Sequence, residues 1–348
     1  MKALYARGPM QFAMEDRPMP VPQADEILIK VHSVAICHTD LMLRDGSAGH
    51  AKYPFIPGHE FSGEVIAQGE NARSHPIGTR GVVQQIITCG TCRPCLSDGP
   101  VVRCLSMREL GCDLDGGMAE FCALPQRNFI PIPASLSYDE AALCEPLANA
   151  CCAVSTAQLQ PNDRVVVIGP GPIGIMAAKV AKLRGASRVI LAGTRDSRLS
   201  FAQAHDFGVD DVVNVRQAGA EKHLLEELLG GCGADVVLET SGTLSGLELS
   251  LRTAARGAHI LAEGLPPRAQ TIPFNTFLLT DCASLHRVSA WSRTDFLDAL
   301  EYIISGAIDA QAMITSRFSF RDWEAAFETV ATKKDESIKV ILKGDVWQ

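Results

Sequence analysis

The most constraining stretch of this sequence is VVVIGPGPIG at positions 165–174, which continues as IMAAKVA to residue 181. Its β-branched run predicts a buried parallel strand, its glycines predict a tight turn, and the residues that follow predict a helix. Such a turn lets backbone N–H groups and a helix N-terminus approach a pyrophosphate. A second strand pattern at 188–192 supplies the βαβ context that this motif requires. We therefore predict a dinucleotide site, with a ligand-free βα turn as the alternative. The predicted cofactor contacts are Gly169, Pro170, Gly171, Pro172, Ile173 and Gly174.

Length, composition and charge limit the class of protein. A chain of 348 residues predicts two domains, and 47% hydrophobic with 21% charged residues is typical of a globular protein. A net charge of -8 argues against nucleic-acid or anionic-membrane partners, which require clustered Lys and Arg. No apolar run approaches the roughly 18 residues of a membrane helix, and the first residues, MKALYAR, lack a signal-peptide core. We expect a cytoplasmic protein whose 12 cysteines are thiols or metal ligands rather than disulfides.

The first 145 or so residues are predicted to be mostly β, because short β-rich patterns occur there and no helix-length periodicity appears before residue 135. Two polar clusters interrupt this part, CHTD at 37–40 and GHE at 58–60. Cysteine, histidine and a carboxylate are the ligands of catalytic zinc sites. Each cluster alone is weak, since a lone cysteine is more often a packing residue and His-Glu pairs occur on surfaces by chance.

Four closely spaced cysteines follow in the sequence. Cys89, Cys92, Cys95 and Cys104 have the spacing of a structural zinc site of four thiolates. Four free thiols in one exposed loop are the alternative, but they would oxidise readily. A nucleic-acid-binding zinc finger fits the spacing but not the acidic charge, and no basic helix lies beside the loop.

The order of these motifs along the chain resembles that of the zinc-dependent medium-chain dehydrogenases. The motifs are the CHTD and GHE clusters, the four cysteines, the Glu-Pro-Leu at 145–147 and the glycine turn at 169. The sequence is most similar to the branch of the polyol (sorbitol, galactitol) and threonine dehydrogenases, and the resemblance covers the whole chain. It implies an α/β protein in which a GroES-like β-barrel catalytic domain, 1–148, carries a structural zinc lobe at about 86–112. A Rossmann doubly wound parallel-sheet domain would occupy 149–287, and 288–348 would return to the catalytic domain.

The resemblance also implies roles for individual residues. Cys37 and His59 would be the two firm ligands of the catalytic zinc, with Glu60 as a direct or alternate ligand. Thr39 would begin the proton path from the alcohol, and His38 would lie near the cofactor phosphates. For Thr39 and His38, simple turn residues are the alternative.

The last catalytic ligand is predicted to be Glu145. The alcohol dehydrogenase branch has a cysteine at the matching position, whereas the polyol and threonine branch has this glutamate. Cys144 precedes it, but adjacent side chains point in different directions, so we favour Glu145, bound directly or through water. A carboxylate would suit a polyol, since it leaves the zinc harder and more open to a second hydroxyl. Asp40 is expected to accept a hydrogen bond from His59.

Other candidate residues have weaker signals. The loop 96–103 is one residue longer than is usual in the family. Polar residues on predicted pocket loops could bind substrate but are more often solvated: His50, Asp113, Asp115 and Arg293. Cysteines without ligand spacing are expected to be packing residues: Cys112, Cys122, Cys151, Cys152, Cys232 and Cys282.

Alternating strand and helix patterns after residue 147 predict βαβ units and a parallel sheet. The expected strands are 165–168, 189–192, 211–214, 236–239 and 259–263, with a further one within 285–291. A helix is predicted at 296–304, ending at Ser305 and Gly306, and a final strand at 337–343. A dinucleotide would lie at the carboxyl ends of the parallel strands, facing the catalytic zinc.

The choice of cofactor depends on the end of the second strand. An acidic residue there would bind the ribose hydroxyl of NAD, whereas an arginine accommodates the 2′-phosphate of NADP. Gly193 stands where the acid is expected, and Arg195 could bind phosphate, so NADP is favoured over NAD. NAD stays open because Asp196 could turn toward the ribose. The predicted contacts at this strand end are Gly193, Thr194, Arg195 and Arg198.

These observations predict an oxidoreductase in which zinc polarises a secondary alcohol, such as a polyol, while hydride passes to a nicotinamide. The expected cofactors are catalytic and structural zinc with NADP or NAD, and the substrate pair is an alcohol and its ketone. The resemblance implies a homodimer or homotetramer. A zinc-free quinone or enone reductase and a non-catalytic structural protein are the alternatives.

Overall fold

The computed structural model describes residues 1–49, 51–97, 101–264, 283–333 and 337–344. Two residues of the sequence analysis, His50 and Cys282, lie outside the described residues. The strands are β1 Lys2–Ala6, β2 Phe12–Asp16, β3 Glu26–Ala35, β4 Glu60–Gln68, β5 Arg80–Val83, β6 Ile86–Ile87, β7 Arg108–Glu109, β8 Phe121–Pro125, β9 Phe129–Pro131, β10 Arg164–Ile168, β11 Arg188–Gly193, β12 Asp211–Asn214, β13 Ala234–Glu239, β14 Ala254–Ala262, β15 Ser284–Arg287, β16 Ile314–Ser319 and β17 Lys339–Lys343.

The helices alternate with the strands mainly in the second half of the chain. They are α1 His38–Asp45, α2 Tyr138–Ala142, α3 Cys144–Ala157, α4 Pro172–Leu183, α5 Asp196–Ala204, α6 Ala220–Lys222, α7 Leu244–Thr253, α8 Arg293–Ile304, α9 Ala310–Met313 and α10 Trp323–Thr332. Short 3₁₀ segments occur at Arg93–Leu96, Val101–Arg103, Gln126–Asn128 and Phe320–Asp322, and a π-helical segment follows α6 at His223–Leu228. Among the described helices, none combines the length and apolar character needed to cross a membrane.

The first of two structural units comprises Met1–Glu145 and Ser292–Gln348. Its main sheet has the order β16-β17-β3-β4-β5-β9, and β8 also pairs with β3. β3 is the centre of this sheet, since it pairs antiparallel with β4, β8 and β17. Residues of α10, including Phe327, belong to the same apolar core as Ile29 and Phe61. The C-terminal part of the chain therefore completes the core of the N-terminal part.

The second unit comprises Pro146–Trp291 and has a wholly parallel sheet. Its strand order is β12-β11-β10-β13-β14-β15. This is the order of a doubly wound dinucleotide-binding fold, in which the direction of winding reverses between the first strand, here β10, and the fourth, here β13. The β-branched run 165–168 is buried, as parallel strands covered on both faces must be. The predicted α/β class with a parallel sheet is confirmed.

Helix α1 is the main departure from the sequence analysis, which found no helical periodicity before residue 135. Its signals are caps rather than a periodic apolar face. The Asp40 carboxylate accepts a hydrogen bond from the N–H of Cys37 at 2.9 Å, and Gly46 ends the helix with a φ of 81°. The helix is eight residues long, too short for periodicity to reveal it. The CHTD segment therefore forms the start of a helix.

A buried carboxylate joins α2 to the C-terminal strands within the first unit. Asp139 accepts hydrogen bonds from Lys343 Nζ at 2.6 Å, from Arg317 Nε at 2.8 Å and from the Ser33 hydroxyl. Burial raises the pKa of Asp139, but these hydrogen bonds outweigh it and hold the pKa below its usual value. Asp139 thus contributes stability as a carboxylate.

Replacing Asp139 with asparagine is expected to lower the free energy of unfolding by about 1–2 kcal/mol at pH 7, because both cations are partly exposed and the pair is partly screened. The folded-state pKa is depressed, so this contribution is present above the unfolded pKa of about 4 and is lost as pH falls through the folded value. Urea unfolding of both proteins at pH 7 and at low pH measures it. Asp16→Asn, at an exposed pair with Lys2, is the control. An Asp139→Asn deficit that does not shrink as pH falls would contradict this account.

Candidate active site

A thiol, an imidazole and a carboxylate meet at the start of α1 and β4. Donor atoms of Cys37, His59 and Glu60 all lie within 4.8 Å of one another. Cys37 is the N-cap of α1, Glu60 is the first residue of β4, and His59 immediately precedes it. His59 and Glu60 are buried, whereas Cys37 is half-buried. This donor set and spacing fit a zinc ion.

Close backbone packing holds the histidine in place. Gly58, just before it, has a φ of 91°, and a Cβ there would lie 2.7 Å from Met118 Cγ. A Cβ at Gly116 would lie 2.2 Å from the Gly58 carbonyl oxygen. Because neither position tolerates a side chain, the turn before His59 has little freedom to shift.

The hydrogen bond expected between Asp40 and His59 is not formed. His59 Nδ1 lies 3.6 Å from Asp40 Oδ1, which is an ion-pair distance, and Asp40 instead caps α1. Burial lowers the pKa of His59, but the charges of Asp40 and Cys37 outweigh it and raise the pKa well above 6.5. Burial has the opposite effect on Asp40, whose pKa it raises. The buried anionic groups beside the imidazole thus favour a positive charge at this position, and a bound cation would supply that charge with the imidazole neutral.

A lysine that the sequence analysis missed completes this cluster. Lys339, on β17, places Nζ 2.8 Å from Oε1 and 2.5 Å from Oε2 of Glu60. Both side chains are buried. Burial lowers the pKa of Lys339, but Glu60 and Cys37 outweigh it and raise the pKa above its usual value. The only signal in the sequence is a charged residue within the apolar strand pattern 337–342.

Glu145 is buried but lies outside the close donor group of Cys37, His59 and Glu60. Its Oε1 accepts a hydrogen bond from Gln85 Nε2 at 2.6 Å. Its negative charge also helps to raise the pKa of Lys339. Glu145 as a ligand therefore stays a prediction.

The alternative thiol, Cys144, contacts a backbone carbonyl group of α8. Its Sγ donates to the carbonyl oxygen of Phe296 at 3.5 Å. Cys144 and Glu145 are both in α3, where adjacent side chains point about 100° apart. The contact with α8 favours a packing role for this thiol.

The other residues of the CHTD segment lie beside the cluster. Thr39 Oγ1 accepts a hydrogen bond from Cys37 Sγ at 3.7 Å, which places the hydroxyl next to the donor group. His38 is exposed at the surface, and partial desolvation of its ring lowers its pKa. The role of Thr39 in a proton path and the role of His38 toward a cofactor both stay predictions.

The four cysteines of the lobe form a second donor cluster. Their sulfur atoms all lie within 4.8 Å of one another, with Cys92 Sγ 3.3 Å from Cys95 Sγ. The N–H of Cys89 donates to Cys104 Sγ at 3.3 Å. Backbone N–H groups of Thr91 and Cys92 lower the pKa of Cys89 to about 5, which favours the thiolate that zinc binds. The geometry fits a structural zinc; residues 98–100 of the loop 96–103 lie outside the described chain.

The remaining candidates have structural contacts. Asp113 accepts from Arg108 Nε at 2.7 Å, Asp115 accepts from the N–H of Ile56 at 2.9 Å, and Arg293 donates to Gln84 Oε1 at 3.3 Å. The cysteines expected in packing roles are buried where the structure describes them, with one exception. Cys232 is exposed, since it lies in a glycine-rich turn after the π-helical segment. Its predicted packing role is therefore wrong.

In the second unit, the glycine turn after β10 has the shape of a phosphate cradle. Gly169 has a φ of 111°, and a Cβ at Gly174 would lie 2.0 Å from the Gly169 carbonyl oxygen. A Cβ at Gly171 would meet nothing within 4 Å, so the turn is open on that side. Gly171 is also the N-cap of α4 and offers no side-chain cap. The turn, the open approach and the helix start without a side-chain cap fit a pyrophosphate.

The end of β11 has no room for a side chain. A Cβ at Gly193 would lie 2.3 Å from Pro170 Cδ, so the acidic residue that usually binds ribose is excluded sterically. Thr194 and Arg195 are exposed, whereas Arg198 is only 7% exposed and packs within the protein. Asp196 Oδ1 accepts a hydrogen bond from Asn214 Nδ2 at 2.8 Å.

Comparison with known proteins agrees with the fold and the donor clusters. Residues 23–134 match the family model of the alcohol dehydrogenase GroES-like domain, and residues 172–305 match that of the zinc-binding dehydrogenases. The chain is 31% identical to a sorbitol dehydrogenase of Bacillus subtilis, covering 98% of this chain and 97% of that one. It is 33% identical to an L-threonine 3-dehydrogenase of Bacillus licheniformis, covering 98% of each.

Two solved structures show the same fold with cofactor bound. A zinc-binding dehydrogenase from Sinorhizobium meliloti bound to NADP has a TM-score of 0.91 at 26% identity over 98% of each chain. An alcohol dehydrogenase from Escherichia coli complexed with NADH has a TM-score of 0.90 at 27% identity over 99% of each chain. Fold and site together define a zinc-binding alcohol dehydrogenase that uses a nicotinamide cofactor. The chain belongs to the zinc-dependent medium-chain dehydrogenases, in the branch of the polyol and threonine dehydrogenases.

Proposed function

We propose that this enzyme interconverts a polyol, or a related polar secondary alcohol, and its ketone with NADP as the preferred cofactor. The observation that carries this proposal is the buried group of Cys37, His59 and Glu60. A chain without catalytic zinc has no need to hold a thiol and a carboxylate this close, so the group argues against a zinc-free quinone or enone reductase.

The proposed metal ligands are Cys37 and His59, with Glu145 as the third and Glu60 as an alternate. When bound, the zinc lowers the pKa of a substrate hydroxyl and stabilises negative charge on its oxygen. Lys339 holds Glu60 in place, and Gln85 orients the Glu145 carboxylate. A second zinc on the four cysteines of the lobe would fix the loop that carries them.

Preference for NADP is supported by the end of β11. Gly193 excludes an acidic side chain there, and the exposed Arg195 can make a charge-assisted hydrogen bond to a 2′-phosphate. We further propose that 1–148 and 288–348 bind zinc and substrate, that 149–287 bind the cofactor, and that the enzyme is a cytoplasmic homodimer or homotetramer.

Metal analysis and a substrate panel test the proposal. We expect about two zinc ions per chain, and a kcat/KM at least about tenfold higher for a polyol than for simple secondary alcohols, since unpaired polar groups in a site penalise smaller substrates. The panel comprises sugar alcohols, phosphorylated polyols, amino alcohols and simple secondary alcohols, each with NADP and NAD. Full activity after zinc removal, or reduction of quinones alone, would contradict the proposed function.

A further inference from the structure

Two neighbouring strands of the parallel sheet end in a small polar network around Asn214. Gly193, the last residue of β11, is in register with Asn214, the last residue of β12. The Asn214 amide donates from Nδ2 to Asp196 Oδ1 at 2.8 Å and accepts at Oδ1 from the N–H of Arg216 at 3.0 Å. One partner is an acceptor and the other a donor, so the two contacts fix the orientation of the amide.

The charged side chains at this edge of the sheet differ in whether they have a partner. Arg195 and Arg216 each follow their strand end by two residues, both are exposed, and neither forms an ion pair with a described residue. The carboxylate of Asp196, by contrast, is bound to Asn214. Two exposed guanidinium groups thus follow the strand ends at the carboxyl edge of the sheet, while the Asp196 carboxylate is held by Asn214.

The steric limit at Gly193 makes Asp196 the acidic group nearest to the usual ribose position along the chain. A free carboxylate there would accept a hydrogen bond from a ribose hydroxyl and would repel a 2′-phosphate. Whether the Asp196 carboxylate is free or bound to Asn214 therefore bears directly on the choice between NAD and NADP.

We propose that Asn214 is a positioning residue for cofactor specificity. By binding Asp196 it keeps the carboxylate from the adenosine ribose, and by holding the backbone of Arg216 it leaves the 2′ position to Arg195 and Arg216. The inference rests on the proposed preference for NADP and extends it to residues outside the β11 strand end.

A double-mutant cycle with dissociation constants as the readout tests this inference. The quantity measured is the ratio of the Kd for NADH to the Kd for NADPH, by fluorescence titration of the zinc-loaded protein. Asn214→Ala is expected to lower this ratio about tenfold, because the Asp196 carboxylate would then be free to turn toward the 2′-phosphate and repel it. In an Asp196→Asn background the same substitution is expected to change the ratio less than about twofold, because residue 196 then has no negative charge to repel the phosphate.

Equal effects of Asn214→Ala in both backgrounds would overturn the inference. Arg216→Gln should weaken NADPH binding about tenfold with NADH unchanged, while Arg216→Lys restores part of it. Arg321→Gln, at an exposed arginine of the first unit, is the charge-matched control and should leave both constants unchanged. The wild-type ratio separately tests the preference for NADP, so failure of the proposed function and failure of the cycle are distinguishable.

Discussion

Replacing Cys37 with alanine is expected to lower kcat by a factor of about 1,000 or more, because catalytic metals contribute several kcal/mol of charge stabilisation. Cys37 contributes the sulfur of the donor group with His59 and Glu60. Zinc content should fall by about one ion per chain, since the cysteine cluster of the lobe is unaffected. The Kd for NADPH should change little, because the glycine turn belongs to the second unit.

The neighbouring pair Cys144 and Glu145 provides the matched control. Glu145→Gln keeps the shape and the contact with Gln85 but removes the charge, so it should also lower zinc affinity and kcat. Cys144→Ala removes a thiol that contacts the Phe296 carbonyl, so zinc content and kcat should stay near wild type. Loss of zinc in Cys144→Ala with retention in Glu145→Gln would reverse the ligand assignment. A Cys37→Ala protein with wild-type kcat and one zinc fewer would contradict the catalytic role of the metal.

The parts of the fold that sequence predicts well are those with local signals. The buried strand at 165–168 and its glycine turn form one continuous sequence pattern, and the strand, turn and helix lie where that pattern predicts them. Helix α8 likewise has an apolar face and ends at the predicted stop, Ser305 and Gly306. Helix α1 was missed because caps, not periodicity, define it.

The parts of the site that sequence does not predict depend on distant contacts. Lys339 and Glu60 are 279 positions apart, so no spacing rule could pair them. Similarly, the role of Asp196 depends on Asn214, which lies on a different strand. Residue types identify the donor groups, because few residues bind zinc, but the groups that hold those donors are ordinary polar side chains. Only the three-dimensional packing distinguishes them from solvated residues.

Lys339 is the second position at which a single change should have a large effect. Lys339→Met keeps most of the side-chain volume but leaves Glu60 buried without its cation. Breaking a buried ion pair costs about 3–5 kcal/mol, and so the free energy of unfolding should fall by that order. In the zinc-loaded enzyme the freed Glu60, the proposed alternate ligand, would compete with substrate for the metal. We expect kcat to fall about 10- to 100-fold, the usual cost of losing a partner of a metal ligand.

A set of variants separates the electrostatic role of Lys339 from its packing. Lys339→Arg keeps the cation and should retain most of the zinc affinity and kcat. The double variant Glu60→Gln with Lys339→Met removes both charges, so it should recover most of the lost stability, because no unpaired charge stays buried. Lys182→Met, at a surface pair with Asp210, should have little effect on stability, zinc affinity or kcat. Chemical unfolding, zinc analysis and steady-state kinetics measure the three responses. If the double variant is as unstable as Lys339→Met, the lysine acts through its packing, and Glu60 does not need a cation to hold it off the metal.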